Sequence, residues 1–496
     1  MKAATRERLA LVAIVVAYLA VAVQYARLTP PWQAPDEPAH FNYVKFVAEV
    51  GALPVLQPGD YPHDYLEAIK AAGFPPHMSI ASIRYEAWQP PLYYLAAALV
   101  YRLAGESSLG QQLLVLRLFS VGLGALLIVV AHRVVATLAP GRAWLSLGVA
   151  ATVAAIPMHV ATTAAVSNDT LSELWVALVL WQLLLILRRP QGGLRPWLGL
   201  GATLGLAGLT KLSTCVVGPL VVGVLAYAAR GVAPAERGRF AARRLAASGL
   251  VALLLVLPWL AHNVTVYGLS DPFVFRQHAA VVVGQERTSA WLARVGLARG
   301  LVELATTTWH SFWGQFGWMG VPIDSRLYRG LTLLSAVAGL GLLLRLSQAR
   351  RQWERLAPEE RAGLCLLGGL ALLVGASFLW YNLSFKQHQG RYLFPALIPL
   401  GVLGASGWRE VTRRAGRPLA AVALVAMALV LAVAALCRGA RPDRWVLAGT
   451  LALAGAFSLP GRLGAWLYAL PYPLLLLLDV LCLYRFILPA LARPGL

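Results

Sequence analysis

Apolar stretches of about 20 residues recur along the whole chain, and this repetition constrains the fold more than any other feature. As a helix, one such stretch crosses the roughly 30 Å hydrocarbon core of a bilayer. The chain has 496 residues, of which 58% are hydrophobic and 13% are charged, whereas soluble proteins carry about 25% charged residues. The sequence therefore predicts an all-α polytopic membrane protein with about 13 transmembrane helices.

The net charge of +21 is explained by topology. In a soluble protein such a charge would suggest nucleic acid, but here basic residues cluster in short loops such as 188–195 and 237–244. Short basic loops face the cytoplasm. We therefore expect a multi-pass protein of the cell (inner or plasma) membrane, with the lipid bilayer and no nucleic acid as partner. The opening run lacks a small-residue cleavage site, so we predict a first span with a cytoplasmic N-terminus.

Two loops are too long to be simple connectors. We place spans at about 9–28, 113–131, 143–163, 170–187, 197–213, 214–229, 248–266, 330–346, 363–381 and 392–408, with three more before the C-terminus. This leaves loops of about 30–112 and 267–329 on the extracytoplasmic side. Loops of this length are commonly functional. Both are rich in aromatic residues, which also fits simple interfacial belts.

The first loop is predicted to carry two juxtamembrane helices. An amphipathic helix begins at Asp36-Glu37-Pro38 and ends at Gly51, with apolar residues at helical spacing between them. The apolar segment 91–103 covers only about 20 Å as a helix, too short to cross the bilayer. We interpret this segment as juxtamembrane or re-entrant. If it did span, everything after it would be inverted.

The start of the first helix carries the first candidate site residues. Asp36 and Glu37 fit either a general base or metal ligand at the membrane surface, or a helix N-cap and its neighbour. His40 lies on the same helical face, where it would orient a carboxylate or join a metal, although a lone histidine here is more often a hydrogen-bonded surface residue.

Three further charges are predicted on the same side of the membrane. Asp169 lies at the top of the fourth span, where helix capping is the alternative explanation. Lys211 lies between two short spans near the outer leaflet; a cation at this depth indicates function, with snorkelling as the alternative. Arg391 begins the tenth span, where its planar guanidinium suits phosphate oxygens, and an interfacial anchor is the alternative. Carboxylates beside cations are what sugar transfer from a lipid phosphate needs, as base and as charge compensation.

Five short motifs in order resemble the GT-C membrane glycosyltransferases, which include the protein O-mannosyltransferases of glycosyltransferase family 39 and the bacterial aminoarabinose transferases. The motifs are residues 35–41 (PDEPAHF), 89–94 (QPPLYY), 167–169 (SND), 209–212 (LTKL) and 390–395 (GRYLFP). Residues 311–319 (SFWGQFGWM) more closely resemble bacterial predicted membrane proteins of unassigned function related to that superfamily. The resemblance covers roughly residues 1–400.

This resemblance implies a GT-C-like bundle and an extracytoplasmic active site. Residues 1–410 would form the catalytic module, and 411–496 would add C-terminal transmembrane helices. The donor would be a polyprenyl-phosphate sugar and the acceptor a glycan, a lipid or a protein. Asp36 would be the base. The other predicted site residues are Glu37 and Asp169 as catalytic groups, Lys211, Arg391 and Tyr392 at the donor phosphate, and His40, Gln89, Tyr93, His388 and Gln389 in the substrate pocket.

A metal ion and two other functional classes remain open. Some relatives bind a divalent cation, so Mg²⁺ or Mn²⁺ held by Asp36, Asp169 and His40 is a candidate cofactor; none is certain. A lipid or glycan transporter or flippase would predict mid-span charges and paired repeats, but the sequence shows no repeat and most charges lie at span ends. A non-catalytic membrane assembly factor would keep the fold without the base.

Overall fold

The computed structural model describes residues 3–346, 353–413, 416–437, 443–458 and 464–492, which form a helical bundle. Its α-helices are Ala3–Leu28, Glu37–Val50, His63–Ala71, Leu92–Leu103, Leu109–Leu138, Ala143–Ala154, Pro157–Thr163, Asp169–Arg188, Arg195–Gly208, Gly218–Ala229, Arg237–Tyr267, Phe275–Val281, Thr288–Val295, Leu297–Trp313, Ser325–Leu346, Pro358–Ser384, Leu397–Thr412, Arg417–Cys437, Arg444–Ser458, Gly464–Ala469, Pro471–Leu481 and Leu488–Leu491. Three 3₁₀ segments, Leu212–Val217, Pro234–Glu236 and Gly390–Ala396, and a π-helical turn, Cys482–Ile487, complete the helical structure.

The predicted all-α polytopic bundle is confirmed, but its count of about 13 spans is not. Within the described ranges, eight helices are long and apolar enough to cross a membrane, and up to ten if each of two bent helix pairs is one span. The helices Arg195–Gly208 and Arg444–Ser458 have 14 and 15 residues. At 1.5 Å per residue each covers only about 22 Å, which is why they fall short of an independent span.

One predicted span is broken close to Asp169. The helices Ala143–Ala154 and Pro157–Thr163 meet at an angle of 66°. Ile156 precedes a proline and has extended backbone geometry, as the steric demand of the proline ring requires. Pro157 then starts a new helix in its first turn. The short second helix, buried along its length, leads directly to Asp169.

The two long loops are folded. The first contains the predicted amphipathic helix, Glu37–Val50, closed at Gly51. It also contains the helix Leu92–Leu103, whose 12 residues match the predicted juxtamembrane segment. The second loop contains three helices and a two-stranded antiparallel hairpin that pairs Gln315–Phe316 with Val321–Pro322.

Apolar side chains from the loops and the spans share the main hydrophobic core. The opening helix contributes Tyr18 and Tyr25, which are almost fully buried, and the loop helix contributes Phe41 and Val44. The C-terminal helix Pro471–Leu481 joins the same core through several buried side chains. The Tyr25 hydroxyl donates a 2.8 Å hydrogen bond to the backbone oxygen of Asp479. The C-terminal helix therefore packs against the start of the chain and beneath the outer loops.

Candidate active site

Four charged side chains from four separate parts of the chain meet at one end of the bundle. Nη2 of Arg391 donates a 2.6 Å hydrogen bond to Oδ2 of Asp36, and Nη1 of the same guanidinium lies 3.8 Å from Oδ2 of Asp169. Lys211 pairs with the other oxygen of Asp169. We call Asp36, Asp169, Lys211 and Arg391 the charged cluster. The opposite charges balance, which lowers the cost of placing them at membrane depth.

Asp36 occupies the N-cap position of its helix but does not act as a side-chain cap. Its backbone is left-handed, with φ of 67°, a conformation that costs energy for a residue with a Cβ and that persists where the surroundings hold it. The carboxylate instead accepts hydrogen bonds from Arg391 and from the Tyr85 hydroxyl, at 2.8 Å. The capping explanation therefore does not account for Asp36.

The electrostatic environment keeps the Asp36 carboxylate ionised. Burial acts to raise the pKa of this carboxyl, but the adjacent Arg391 guanidinium and the hydrogen bonds to it outweigh burial, and the pKa lies below its usual range. The side chain keeps 27% of its surface exposed. An ionised carboxylate with remaining lone pairs and an open side can accept a hydrogen bond from an incoming hydroxyl.

Asp169 and Lys211 form the second half of the cluster. Asp169 is the first residue of a long span, and its own backbone N–H is bonded to Oγ of Ser167 rather than to its carboxylate. Lys211 lies on extended backbone between two helical segments, so its side chain reaches across to Asp169. Lys211 thus has a partly buried ion-pair partner, and snorkelling to the interface does not describe it.

Arg391 is held in place by residues on both sides. Nε of Arg391 donates a 2.7 Å hydrogen bond to Oε1 of Gln389. The Tyr392 ring lies 5.5 Å from the guanidinium carbon of Arg391. Gly390 packs so closely on the second loop that a Cβ there would lie 2.3 Å from the Phe312 nitrogen. Oγ of Ser311 accepts a 2.8 Å hydrogen bond from the Gly390 N–H. The motif 311–319 therefore positions the arginine.

Glu37, predicted as catalytic, is placed in a buried ion pair with Arg117. Nε and Nη2 of Arg117 donate to the two Glu37 oxygens at 2.8 and 2.6 Å, and the Trp32 and Val166 N–H groups donate to the same oxygens. The exposed fractions of the two side chains are 0% and 3%. This geometry favours a structural role for Glu37. Arg117 could have been noticed in the sequence, because it is an arginine within an apolar span. Charged residues are rare there and usually have a functional or structural role.

The predicted pocket residues divide into two groups. His40 lies beside the cluster: its Nδ1 is 2.8 Å from the Tyr94 hydroxyl, and burial lowers its pKa to about 4, so the ring is neutral. Gln89 Oε1 accepts a hydrogen bond from Asn168, which links the first loop to the segment before Asp169. Both residues support the cluster.

Tyr93 and His388 make packing contacts. The Tyr93 hydroxyl is 3.0 Å from Oγ of Ser120, and its side chain is fully buried between helices. The His388 ring packs edge-on to Trp291, with centroids 4.7 Å apart, near the second-loop charges Lys386 and Glu286. A role for either side chain in a substrate pocket stays a prediction.

The predicted metal site does not fit the residues present. No group of three His, Cys, Asp or Glu side chains that could hold a metal occurs in the described part of the chain. Asp36 and Asp169 are each paired with a cation, and the His40 nitrogen is engaged by Tyr94. Two positive side chains already occupy the space between the carboxylates and would repel a divalent ion.

Glu86 is a site residue that the sequence analysis missed. Its Oε2 is buried with no hydrogen-bond partner. Burial, with added repulsion from Asp36, raises the pKa of this carboxyl to about 7. The adjoining residue Tyr85 hydrogen-bonds to Asp36. No motif marked Glu86, because its position depends on how the loop folds back over the cluster.

Replacing Glu86 with Gln should flatten the pH dependence of stability. The pKa is higher in the folded than in the unfolded chain, so Glu86 stabilises the fold at low pH, and this contribution is lost as pH rises through about 7. The loss is at most about 3 kcal/mol. Melting temperatures are measured in detergent at about pH 5 and pH 8. The decrease from pH 5 to pH 8 should be smaller in Glu86→Gln than in the wild type, and Glu67→Gln is an exposed control. An equal fall in all three would contradict the assignment.

A small cavity opens beside the cluster. Its charged lining residues are Arg391 and Arg117, and most of the other walls are apolar. The five N–H groups of Arg117 all donate to Glu37 or to backbone oxygens of 26, 29 and 30. Nη1 of Arg391 lies 3.8 Å from Oδ2 of Asp169, beyond hydrogen-bonding distance. The cavity is therefore a mostly apolar space that the Arg391 side chain helps to line.

A family described as predicted membrane protein (DUF2142) matches residues 78–400. The chain belongs to this family. The match agrees with the resemblance of residues 311–319 to predicted membrane proteins of unassigned function. No curated protein matches this DUF2142 chain in sequence.

Solved structures share the fold of this DUF2142 protein. ArnT from Cupriavidus metallidurans in the apo state has a TM-score of 0.51 and 17% identity, over 99% of this chain and 74% of that chain. ArnT from the same organism bound to undecaprenyl phosphate has a TM-score of 0.50 and 20% identity, over the same shares. An Archaeoglobus fulgidus oligosaccharyltransferase tethered with an acceptor peptide has a TM-score of 0.48 and 15% identity, over 90% of this chain and 55% of that chain. The predicted GT-C-like bundle is confirmed.

Proposed function

We propose that this protein is a membrane glycosyltransferase that moves a sugar from a polyprenyl-phosphate donor to a hydroxyl acceptor at the extracytoplasmic face. The observation that carries the proposal is the placement of Arg391 between two carboxylates, in the lining of a mostly apolar cavity. A guanidinium beside an apolar space suits an anionic phosphate on an isoprenoid chain. The similar fold of ArnT with undecaprenyl phosphate bound supports the same donor class.

In the proposed reaction Asp36 acts as the general base. The oxygen of the acceptor hydroxyl attacks the anomeric carbon of the donor, and its proton passes to the Asp36 carboxylate. The bond between the anomeric carbon and the phosphate oxygen breaks, and its electron pair leaves with that oxygen. Arg391 and Lys211 compensate the charge that develops on the phosphate. Asp169 holds both cations toward the reacting bond, as its ion pairs with them indicate.

The orientation follows from charge and from the site. The basic loops assign the opposite end of the bundle to the cytoplasm. The cluster then faces the outer leaflet, where a lipid-linked donor and a glycan, lipid or protein acceptor can both reach it. We propose that the protein lies in the inner or plasma membrane in this orientation.

The direct test is sugar transfer by purified protein in vitro. The protein is incubated with labelled polyprenyl-phosphate sugars and a membrane extract, and transfer of label to a new product is measured. A soluble nucleotide sugar with the same label is the donor control. We expect label to move from the lipid-linked donor alone. Transfer from the nucleotide sugar, or no release of free polyprenyl phosphate from any lipid-linked donor, would contradict the proposal.

The Arg391→Lys variant should keep the charge but lose most donor use. A lysine cannot bond to Gln389, Asp36 and a phosphate with one planar group. We expect kcat/KM for the donor to fall about 100-fold, with a smaller change in KM for the acceptor. Arg294→Lys, in an exposed ion pair of the second loop, is the matched control. An equal loss of donor and acceptor use would argue against a phosphate role.

A further inference from the structure

The cavity beside the charged cluster has one wall that lies outside the family match. That match ends at residue 400, yet Ile487 and Leu491 line the cavity together with Met158, Ala161 and Phe316. Residues 471–491 thus lie next to Arg391 in space, although they follow it in the sequence by at least 80 positions. The C-terminal helix was predicted only as an additional transmembrane element.

This wall contacts other segments at two points. Midway along it the backbone oxygen of Asp479 accepts the hydrogen bond of Tyr25, from the opening helix. At its C-terminal end Leu491 contacts the second-loop turn so closely that a Cβ on Gly317 would lie 2.9 Å from the Leu491 Cδ2. Gly317 has φ of +55°, so the turn itself requires glycine. The wall is therefore built against two other segments.

The helix changes its winding where it reaches the cavity. The turn Cys482–Ile487 is π-helical, and such insertions occur mostly as single turns, often at functional sites. An inserted residue rotates the side chains that follow it about the helix axis. Ile487 ends this turn with 1% of its surface exposed, and Leu491 follows one helical turn later. The two side chains therefore lie on one face.

The chemistry of the cavity selects an anionic amphiphile. Its walls are mostly aliphatic and aromatic carbon, and the Arg391 guanidinium, whose Nη1 lies 3.8 Å from Asp169, contributes positive charge. All the donors of Arg117 are used by Glu37 and backbone oxygens. A phosphate at Arg391 would place the first part of its apolar chain along the C-terminal wall.

We propose that Ile487 and Leu491 bind the isoprenoid units next to the phosphate of the donor, so that the C-terminal helix selects the lipid chain. This inference rests on the proposed function. It assigns chain selection to a segment beyond the DUF2142 match, whereas Arg391 binds the head group. The occupant is isoprenoid; a phospholipid with acyl chains shares the head-group chemistry and is the alternative that the test separates.

The test measures binding of undecaprenyl phosphate to the full-length protein in detergent. Leu491→Trp fills the cavity and should weaken this binding about tenfold, since it removes the space for apolar contact. Leu477→Trp is the matched control, because Leu477 lies in the same segment with 63% of its surface exposed. Its binding should stay within about twofold of the wild type. Melting temperatures without lipid verify that the variants are folded.

Two additional arms make the outcome decisive. Ile487→Ala enlarges the cavity instead of filling it and should also weaken binding, which covers the case in which Leu491→Trp does not fold. Dioleoyl phosphatidic acid should bind the wild type more weakly than undecaprenyl phosphate does, and equal binding would overturn the isoprenoid assignment. Unchanged undecaprenyl phosphate binding in the folded variants would show that Ile487 and Leu491 do not bind the isoprenoid chain, and it would leave the proposed function intact. No binding to the wild type would overturn both.

Discussion

Replacing Asp36 with Asn is expected to lower the rate of sugar transfer by about 100- to 10,000-fold and to leave the protein folded. The amide keeps the size of the carboxylate and one acceptor oxygen, so the contacts with Tyr85 and Arg391 can be retained in part. It cannot take a proton from the acceptor hydroxyl. Transfer of labelled sugar from the lipid-linked donor is the measurement.

A matched control for this experiment lies in the same loop. Asp64 is exposed in the helix His63–Ala71, and Asp64→Asn should transfer sugar at the rate of the wild type. Undecaprenyl phosphate binding and melting temperature verify that Asp36→Asn is intact. Normal transfer by Asp36→Asn would remove Asp36 from the chemistry and return the role of base to another group.

Replacing Glu37 with Gln is expected to destabilise the protein by about 3–5 kcal/mol. The variant leaves the buried Arg117 charge uncompensated. An amide nitrogen at the Oε2 position would also face two donors, the Trp32 N–H and Nη2 of Arg117. Thermal unfolding in detergent should show a large decrease in melting temperature, and activity should fall with the folded fraction.

A double variant of Glu37 and Arg117 distinguishes a structural ion pair from a catalytic role of Glu37. Arg117→Gln combined with Glu37→Gln removes both charges and should recover part of the stability. Glu49→Gln, with a half-exposed side chain on the same helix, should have little effect. A folded Glu37→Gln protein with a normal melting temperature and no transfer would instead place Glu37 in the reaction.

The sequence predicted the parts of the fold that depend on local pattern. Apolar periodicity and length identified the spans, and proline and glycine marked the ends of the helix Glu37–Val50. Local pattern failed at the break before Pro157, where the run 143–163 is continuous in hydropathy but bends by 66°. The number of spans depends on such breaks, so it could not be obtained by counting apolar runs.

The charged cluster was predictable in membership but not in contacts. Asp36, Asp169, Lys211 and Arg391 all lie at span ends on one predicted side of the membrane, and the structure brings them together. Which acid pairs with which cation depends on packing between residues that are 42 to 355 positions apart. For the same reason adjacent carboxylates separate, with Asp36 in the cluster and Glu37 in the ion pair with Arg117.

Some residues that contact the cluster carried no signal in sequence. Tyr85 and Glu86 are common residue types in an aromatic loop, and only the fold brings them near Asp36. Gln389 was expected in the substrate pocket, and its side chain accepts a hydrogen bond from Arg391. Tyr93 and His388 were also expected there, and the contacts observed for their side chains are with Ser120 and Trp291.

The central claim is that the charged cluster forms one site open to the extracytoplasmic side. Single cysteines are placed at Asp64 in the first loop, Lys386 just before Arg391, and Arg195 in a basic loop, after replacement of the native cysteines at 215, 365, 437 and 482. A maleimide that does not cross membranes is added to intact cells. We expect labelling at 64 and 386, and labelling at 195 only after the membrane is opened. Labelling of 64 and 386 from opposite sides would contradict the account.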